Sequence, residues 1–185
     1  LTVTTNATGN VTIEIGSEYK RTVGVVNGEF SVIVPNLTVG NKTVNVTYNG
    51  NGKYLNSTNS TAFKVSKSAI AVNMAVENIT YGEIETITVF ANTTGNVTIK
   101  LNDNVVGTVN ITDGKVVFQI SKLDEGNYPV EVIFNGNDEL NSTSSAAKFT
   151  VEKANPTIKV DVKDIAYGDV EHIVVTSDAS GNVTI

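Results

Sequence analysis

The chain has 185 residues, 40% hydrophobic and 17% charged, enough to bury one large or two ordinary cores. It has no cysteine, no tryptophan and a single histidine, His172, which excludes disulfides, thiol chemistry and Cys- or His-cluster metal sites. A formal charge of −6 argues against a nucleic-acid surface, and no apolar run approaches the roughly 18 residues of a membrane span.

The pentapeptide Gly-Asn-Val-Thr-Ile stands at 9–13, 95–99 and 181–185, a strict period of 86 residues. In chain order, Val11, Ile13 and Ile15 alternate with polar residues, and Val97, Ile99 and Leu101 repeat them. Next come Phe30, Val32 and Val34 over Val116, Phe118 and Ile120, then Val44, Val46 and Tyr48 over Val130, Val132 and Phe134. Phe63 and Val65 match Phe149 and Val151, and Ile70, Val72, Met74 and Val76 match Pro156, Ile158, Val160 and Val162. A period of 2 is that of half-buried strands, and a one-residue slip would turn each set to water. Asn27-Gly28, Asp113-Gly114, Asn49-Gly50 and Asn135-Gly136 supply the turns between them.

Each copy then carries about seven short strands, which predicts an all-β chain of tandem immunoglobulin-like sandwiches; a closed barrel is the weaker alternative. The phase places an incomplete copy lacking its first strand at 1–66, a complete one at 67–152, and the N-terminal strands of a third at 153–185. Ser66-Lys67-Ser68 and Glu152-Lys153-Ala154 are short links without a Gly/Ser spacer, so the expectation is a rod of stacked units and a window on a longer array. Tyr128, two residues before Val130, has the spacing of a tyrosine corner, where the first copy has Lys42.

Thirteen Asn-x-Thr sequons are present, at Asn6, Asn10, Asn36, Asn41, Asn45, Asn56, Asn59, Asn78, Asn92, Asn96, Asn110, Asn141 and Asn182. Independent placement of 23 Asn among 36 Ser and Thr predicts about 4.5. Outward strand positions favour Thr, which explains part of the excess but not why every sequon ends in Thr when a third of the hydroxyl residues are Ser. The pattern points to N-linked glycans on an exported, extracellular chain.

Other chemistry is poorly supported. His172 aligns with Thr86, so the repeat does not require it. Gly50-Asn51-Gly52-Lys53 lacks the Ser or Thr that a phosphate loop places after its Lys. Asp161, Asp164, Asp169 and Glu171 cluster near the third copy, but their counterparts are Ala75, Asn78, Glu83 and Glu85; a solvated acidic edge is favoured over calcium there, and no cofactor is expected. A Lys isopeptide cross-link is disfavoured because only Lys67 and Lys153, both in the links, align between copies.

The run Val46, Tyr48, Asn49, Gly50, Asn51, Tyr54 and Ser57, with the Tyr-Gly-Glu and Tyr-Gly-Asp entries at 81–83 and 167–169, resembles the bacterial Ig-like repeats of type 3. The second copy keeps the spacing with Phe134, Leu140 and Thr143 in place of Tyr48, Tyr54 and Ser57. Such repeats are abundant in adhesin-like surface proteins of methanogenic archaea and some bacteria. The resemblance implies an Ig-like fold, tandem arrangement and a cell-surface location, and it carries over no catalytic or ligand residue. The expected function is a non-catalytic stalk or adhesin segment. Its partners are neighbouring repeats of the same chain and a cell-surface target bound through a domain outside this sequence. The alternative is a subunit of an extracellular filament or sheath, in which a strand such as 154–162 completes the sandwich of a like chain. Neither nucleic acid nor membrane insertion is expected.

Overall fold

The computed structural model describes residues 1–26 and 28–184, and no helix occurs among them. Asn27 and Ile185, part of a predicted turn and of the third pentapeptide, lie outside the described residues. The chain divides into two compact units, Leu1–Ala71 with Ile133–Ser144, and Val72–Val132 with Ser145–Ile185.

The first copy contains β1 (Thr2–Thr4), β2 (Gly9–Ile15), β3 (Tyr19–Val25), β4 (Glu29–Ser31), β5 (Gly40–Tyr48) and β6 (Ser57–Val65). They form a four-stranded sheet in the order β3-β2-β5-β6 and a two-stranded sheet of β1 and β4. The second copy contains β7 (Val72–Ala75), β8 (Ile79–Thr80), β9 (Glu85–Ala91), β10 (Gly95–Leu101), β11 (Asn104–Ile111), β12 (Lys115–Ile120), β13 (Gly126–Phe134) and β14 (Thr143–Glu152). Its sheets are β12-β9-β7 and β11-β10-β13-β14-β8. This is an immunoglobulin-like sandwich. Eight strands stand where about seven were expected, because the first strand breaks in two and changes sheet. β7 runs antiparallel to β9 with Val72 opposite Ala91, whereas β8 runs parallel to β14 with Ile79 opposite Val151.

The predicted phases fill the core. Val97, Ile99, Val130, Val132 and Phe134 are buried, as are Val11, Ile13, Ile15, Val44 and Tyr48 at the matching positions. Fully burying such a side chain is worth roughly 1.5–3 kcal/mol, so the shared parity is also the main stabilising term.

Three sets depart from expectation. Phe149 is 1% exposed but Phe63 is 39% exposed. Phe149 stacks on Tyr128, whereas Phe63 stands in register with Lys42, which bonds Glu18 and gives it no ring to pack on. The strand predicted through Val34 stops at Ser31. Val32 donates its N–H to the Leu1 carbonyl at 2.8 Å, while Ile120, the counterpart of Val34, pairs with Glu85. In the third copy, β15 (Ile158–Asp161) and β16 (Val174–Ser177) pair only with each other. Ile158, Val160 and Val162 are therefore exposed, since a two-stranded ribbon buries little.

Candidate functional surface

The loops come first, because they would carry a ligand if the sandwiches held one. In the loop after β5, Asn51 accepts the N–H groups of Lys53 and Tyr54 on its Oδ1 at 2.7 and 2.9 Å. Asn137 does the same after β13, for Glu139 and Leu140 at 2.9 and 2.8 Å. The Lys53 and Tyr54 amides, and those of Glu139 and Leu140, are thus already held within their loops. Gly136 is required there: its φ is 77°, and an added Cβ would lie 2.9 Å from the Ser142 nitrogen and 3.0 Å from the Leu140 oxygen.

The Tyr-Gly-Glu/Asp entry is a turn of the same self-contained kind. Glu83 accepts the Thr80 N–H at 2.6 Å, and Asp169 accepts the Ala166 N–H at 3.0 Å. Two residues on, Glu85 accepts the Glu77 N–H at 3.3 Å and Glu171 the Lys163 N–H at 2.8 Å. These carboxylates act on backbone amides eight residues earlier, at the crossover between β7 and β8 and at its counterpart in the third copy. Of the acidic residues weighed for calcium, Asp161 lies 3.5 Å from Lys159, and Asp169 and Glu171 hold backbone. Among the described residues no group of three or more His, Asp or Glu side chains is placed to hold a metal ion. His172 is exposed.

Glu85 is the notable case. Its side chain is completely buried, its Oε2 has no partner, and burial together with the nearby Glu77 charge raises its pKa while the backbone bonds oppose the rise. Its parity with Ile87 and Val89 on β9 was the sequence signal for that burial.

Tyr128 forms the corner. Its hydroxyl donates to the Asp124 carbonyl at 2.9 Å, and its ring stacks on Phe149 with centroids 5.3 Å apart. In the first copy Lys42 bonds Glu18, and also Thr38 Oγ1 at 2.7 Å, Thr38 being the counterpart of Asp124. The Lys42 ammonium, with the Thr38 hydroxyl, holds the Glu18 carboxyl below the usual range. Sequence reading identified the substitution at this corner but not its ionic replacement. Lys100, on the outward phase, pairs with Glu131 at 3.0 Å, and Lys67 donates to the Asn137 carbonyl.

All thirteen sequon asparagines are exposed. Asn10, Asn41, Asn45, Asn59, Asn96 and Asn110 lie within β2, β5, β5, β6, β10 and β11, and the other seven lie outside strands. Their threonines take part in the fold. Thr22, Thr12, Thr47 and Thr58 stand in register across the four-stranded sheet, with Thr12–Thr22 and Thr47–Thr58 hydroxyl contacts of 2.9 Å. Thr12, Thr47 and Thr58 belong to the sequons of Asn10, Asn45 and Asn56, so one outer face holds both the asparagines and a ladder of their hydroxyls. Asn96 faces Asn110 across β10 and β11. Asn59 differs: it pairs with Val46 and shares the parity of Phe63 and Val65, so it belongs to the inward phase of β6 and lines an open groove beside Val46 and Tyr48.

No family model matches the chain. No curated protein matches it. Among solved structures it is similar to the fibronectin(III)-like modules of Clostridium thermocellum CbhA, at 22% identity over 46% of this chain and 100% of that one, with a TM-score of 0.37.

Proposed function

We propose that this chain is a glycosylated, non-catalytic segment of a tandem array related to the bacterial Ig-like repeats of type 3, acting as a spacer in cell-surface adhesion. The observation that carries the reading is the exposure of all thirteen sequon asparagines on a chain whose loop polar groups are engaged with their own backbone. The sequons outside central strands leave their amides open to a sugar transferase, and among the described residues no acid, base and nucleophile converge on one site. Adhesion to a target is assigned to a domain outside this sequence. The test is glycopeptide mass mapping of the protein from its source cells, with electron microscopy of intact cells labelled by antibody to residues 67–152. Several sugar-bearing asparagines and labelled surface fibres support it; unmodified asparagines and no surface label refute it.

A second reading, a self-assembling filament or sheath joined by strand addition, draws on the exposed Ile158, Val160 and Val162 at β15. It requires the mass of the purified chain to rise with concentration, and a single monomeric mass at all concentrations excludes it.

A further inference from the structure

We infer that the fold sorts the sequons into two classes, and that Asn10, Asn45 and Asn96 are modified only before their sheets form. The inference rests on the glycosylation reading above. In the transfer, the asparagine Nδ2 bonds to the anomeric carbon of a lipid-phosphate-linked oligosaccharide. The bond from that carbon to the phosphate oxygen breaks, the oxygen keeps the electron pair, and an amide proton is released. The enzyme must grip the Asn-x-Thr triplet as well as the nitrogen, which is why acceptor sites are normally surface loops.

Asn10, Asn45 and Asn96 lie on β2, β5 and β10, each of which has a paired strand on both sides. Asn10 stands opposite Gly24, and Asn45 stands between Glu14 and Ser60. The hydroxyls of the Asn10 and Asn45 triplets are engaged as well: Thr12 contacts Thr22 at 2.9 Å and Asn49 Oδ1 at 3.2 Å, and Thr47 contacts Thr58 at 2.9 Å. To offer these triplets the strand must leave both ladders, so the rate on folded protein is limited by the small population of open sheet. Asn6 and Asn92 occupy bends before β2 and β10, outside any ladder; the Asn92 triplet is the more open, since in the other Ala7 is buried and the Thr8 carbonyl accepts the Tyr48 hydroxyl and the Asn51 amide. The repeat therefore provides a matched control: each copy has a bend sequon and a central-strand sequon four positions apart, Asn6 with Asn10 and Asn92 with Asn96.

The experiment uses the unglycosylated 185-residue chain, folded, beside synthetic peptides 1–20 and 87–106 in which one sequon of each pair is removed by Asn→Gln. Both are incubated with an N-oligosaccharyltransferase and a lipid-pyrophosphate oligosaccharide, and site-resolved rates are read by mass spectrometry. On peptides all four sites react at comparable rates. On the folded chain Asn92 stays within about threefold of the peptide rate, Asn6 falls between the two classes, and Asn10 and Asn96 fall at least about a hundredfold below the peptide rate. Modification of Asn10 and Asn96 on the folded chain at the peptide rate overturns the inference. So does a folded chain on which Asn92 is as unreactive as Asn96. Failure of the glycosylation reading shows elsewhere, as bare asparagines in protein taken from its source cells, and leaves this rate ratio unchanged.

Discussion

Glu85 connects a titratable group to the way the first strand of the second copy changes sheet. Its carboxyl, buried on β9 beneath the crossover, is the acceptor for the Glu77 N–H at 3.3 Å. Removing it by Glu85→Ala leaves that amide without its partner, a loss of about 1–3 kcal/mol. For a unit of this size that corresponds to a melting temperature lower by roughly 4–8 °C per kcal/mol. Glu85→Gln keeps a carbonyl acceptor and removes the charge, so it isolates the titration. Because burial raises the folded-state pKa above the unfolded value, folding binds a proton at Glu85. Its contribution is therefore fully present below the ordinary glutamate range and is lost as pH rises through the raised value. The stability of the native protein minus that of Glu85→Gln should fall as pH rises from the ordinary glutamate range through the raised value, groups that do not interact with Glu85 cancelling in the difference. Hydrogen-exchange protection of the Glu77 amide and of Val72–Ala75, compared between the two proteins at each pH, reads it locally. A difference that is flat, or that rises with pH, refutes the reasoning.

Glycine supplies the second contrast. Gly136→Ala meets backbone atoms at 2.9 and 3.0 Å at a φ of 77° and should cost about 2–4 kcal/mol, whereas Gly82→Ala, at φ 94° with nothing within 4 Å, should cost only about 1–2 kcal/mol in denaturant titrations. Equal losses would mean that the close approach at Gly136 is immaterial. Tyr128→Phe retains the stack on Phe149 and deletes the bond to Asp124, for a loss of about 0.5–1.5 kcal/mol by thermal melting. Phe149→Ala, at a nearly fully buried position, should lose about 3–5 kcal/mol, and the matching Phe63→Ala should lose much less because Phe63 is already partly in water.

The legible parts of the fold were those where parity alone decides. β2, β5, β10 and β13 each have one buried face and an unbroken alternation, so their inward residues could be read directly. The edge strands β3 and β11 were not identified: Val105-Val106-Gly107 interrupts the alternation, and a register shift between Ile99 and Lys100 displaces the pairing. Gly107 is small for a reason that only packing shows, since a Cβ there would lie 2.5 Å from the Phe118 ring. The change of sheet between β7 and β8 was also hidden. No turn signal marks it, and the residue that secures it, Glu85, reads as a surface acid unless its parity with Ile87 is weighed against its charge. At the candidate surface the sequons were visible as triplets, but their division between strand and bend depends on registers that composition does not contain. Asn59 was visible in part, because counting back by twos from Val65 and Phe63 sets it on the inward phase.

Comparing the copies shows which features hold the backbone and which are free to vary. Asn51 and Asn137 close equivalent loops, Glu83 and Asp169 close equivalent turns, and Glu85 and Glu171 each hold the amide eight residues earlier. Asn36 and Lys122 share a positive φ of 59° and 60° at matching positions despite unrelated side chains, so the geometry there is imposed by the surrounding fold and not by the residue. The faces, by contrast, change chemistry freely. The corner is Tyr128 on a carbonyl in one copy and Lys42 on Glu18 and Thr38 in the other. Asn45 in the ladder face corresponds to Glu131 paired with Lys100. The groups that close loops and turns recur facing their own backbone, whereas outward residues recur at few positions: exposed Tyr81 at Tyr167, Asn6 at Asn92, and Asn10 at Asn96 and Asn182. What the copies share most closely is the set that holds the backbone, which fits repeats built on one fold geometry.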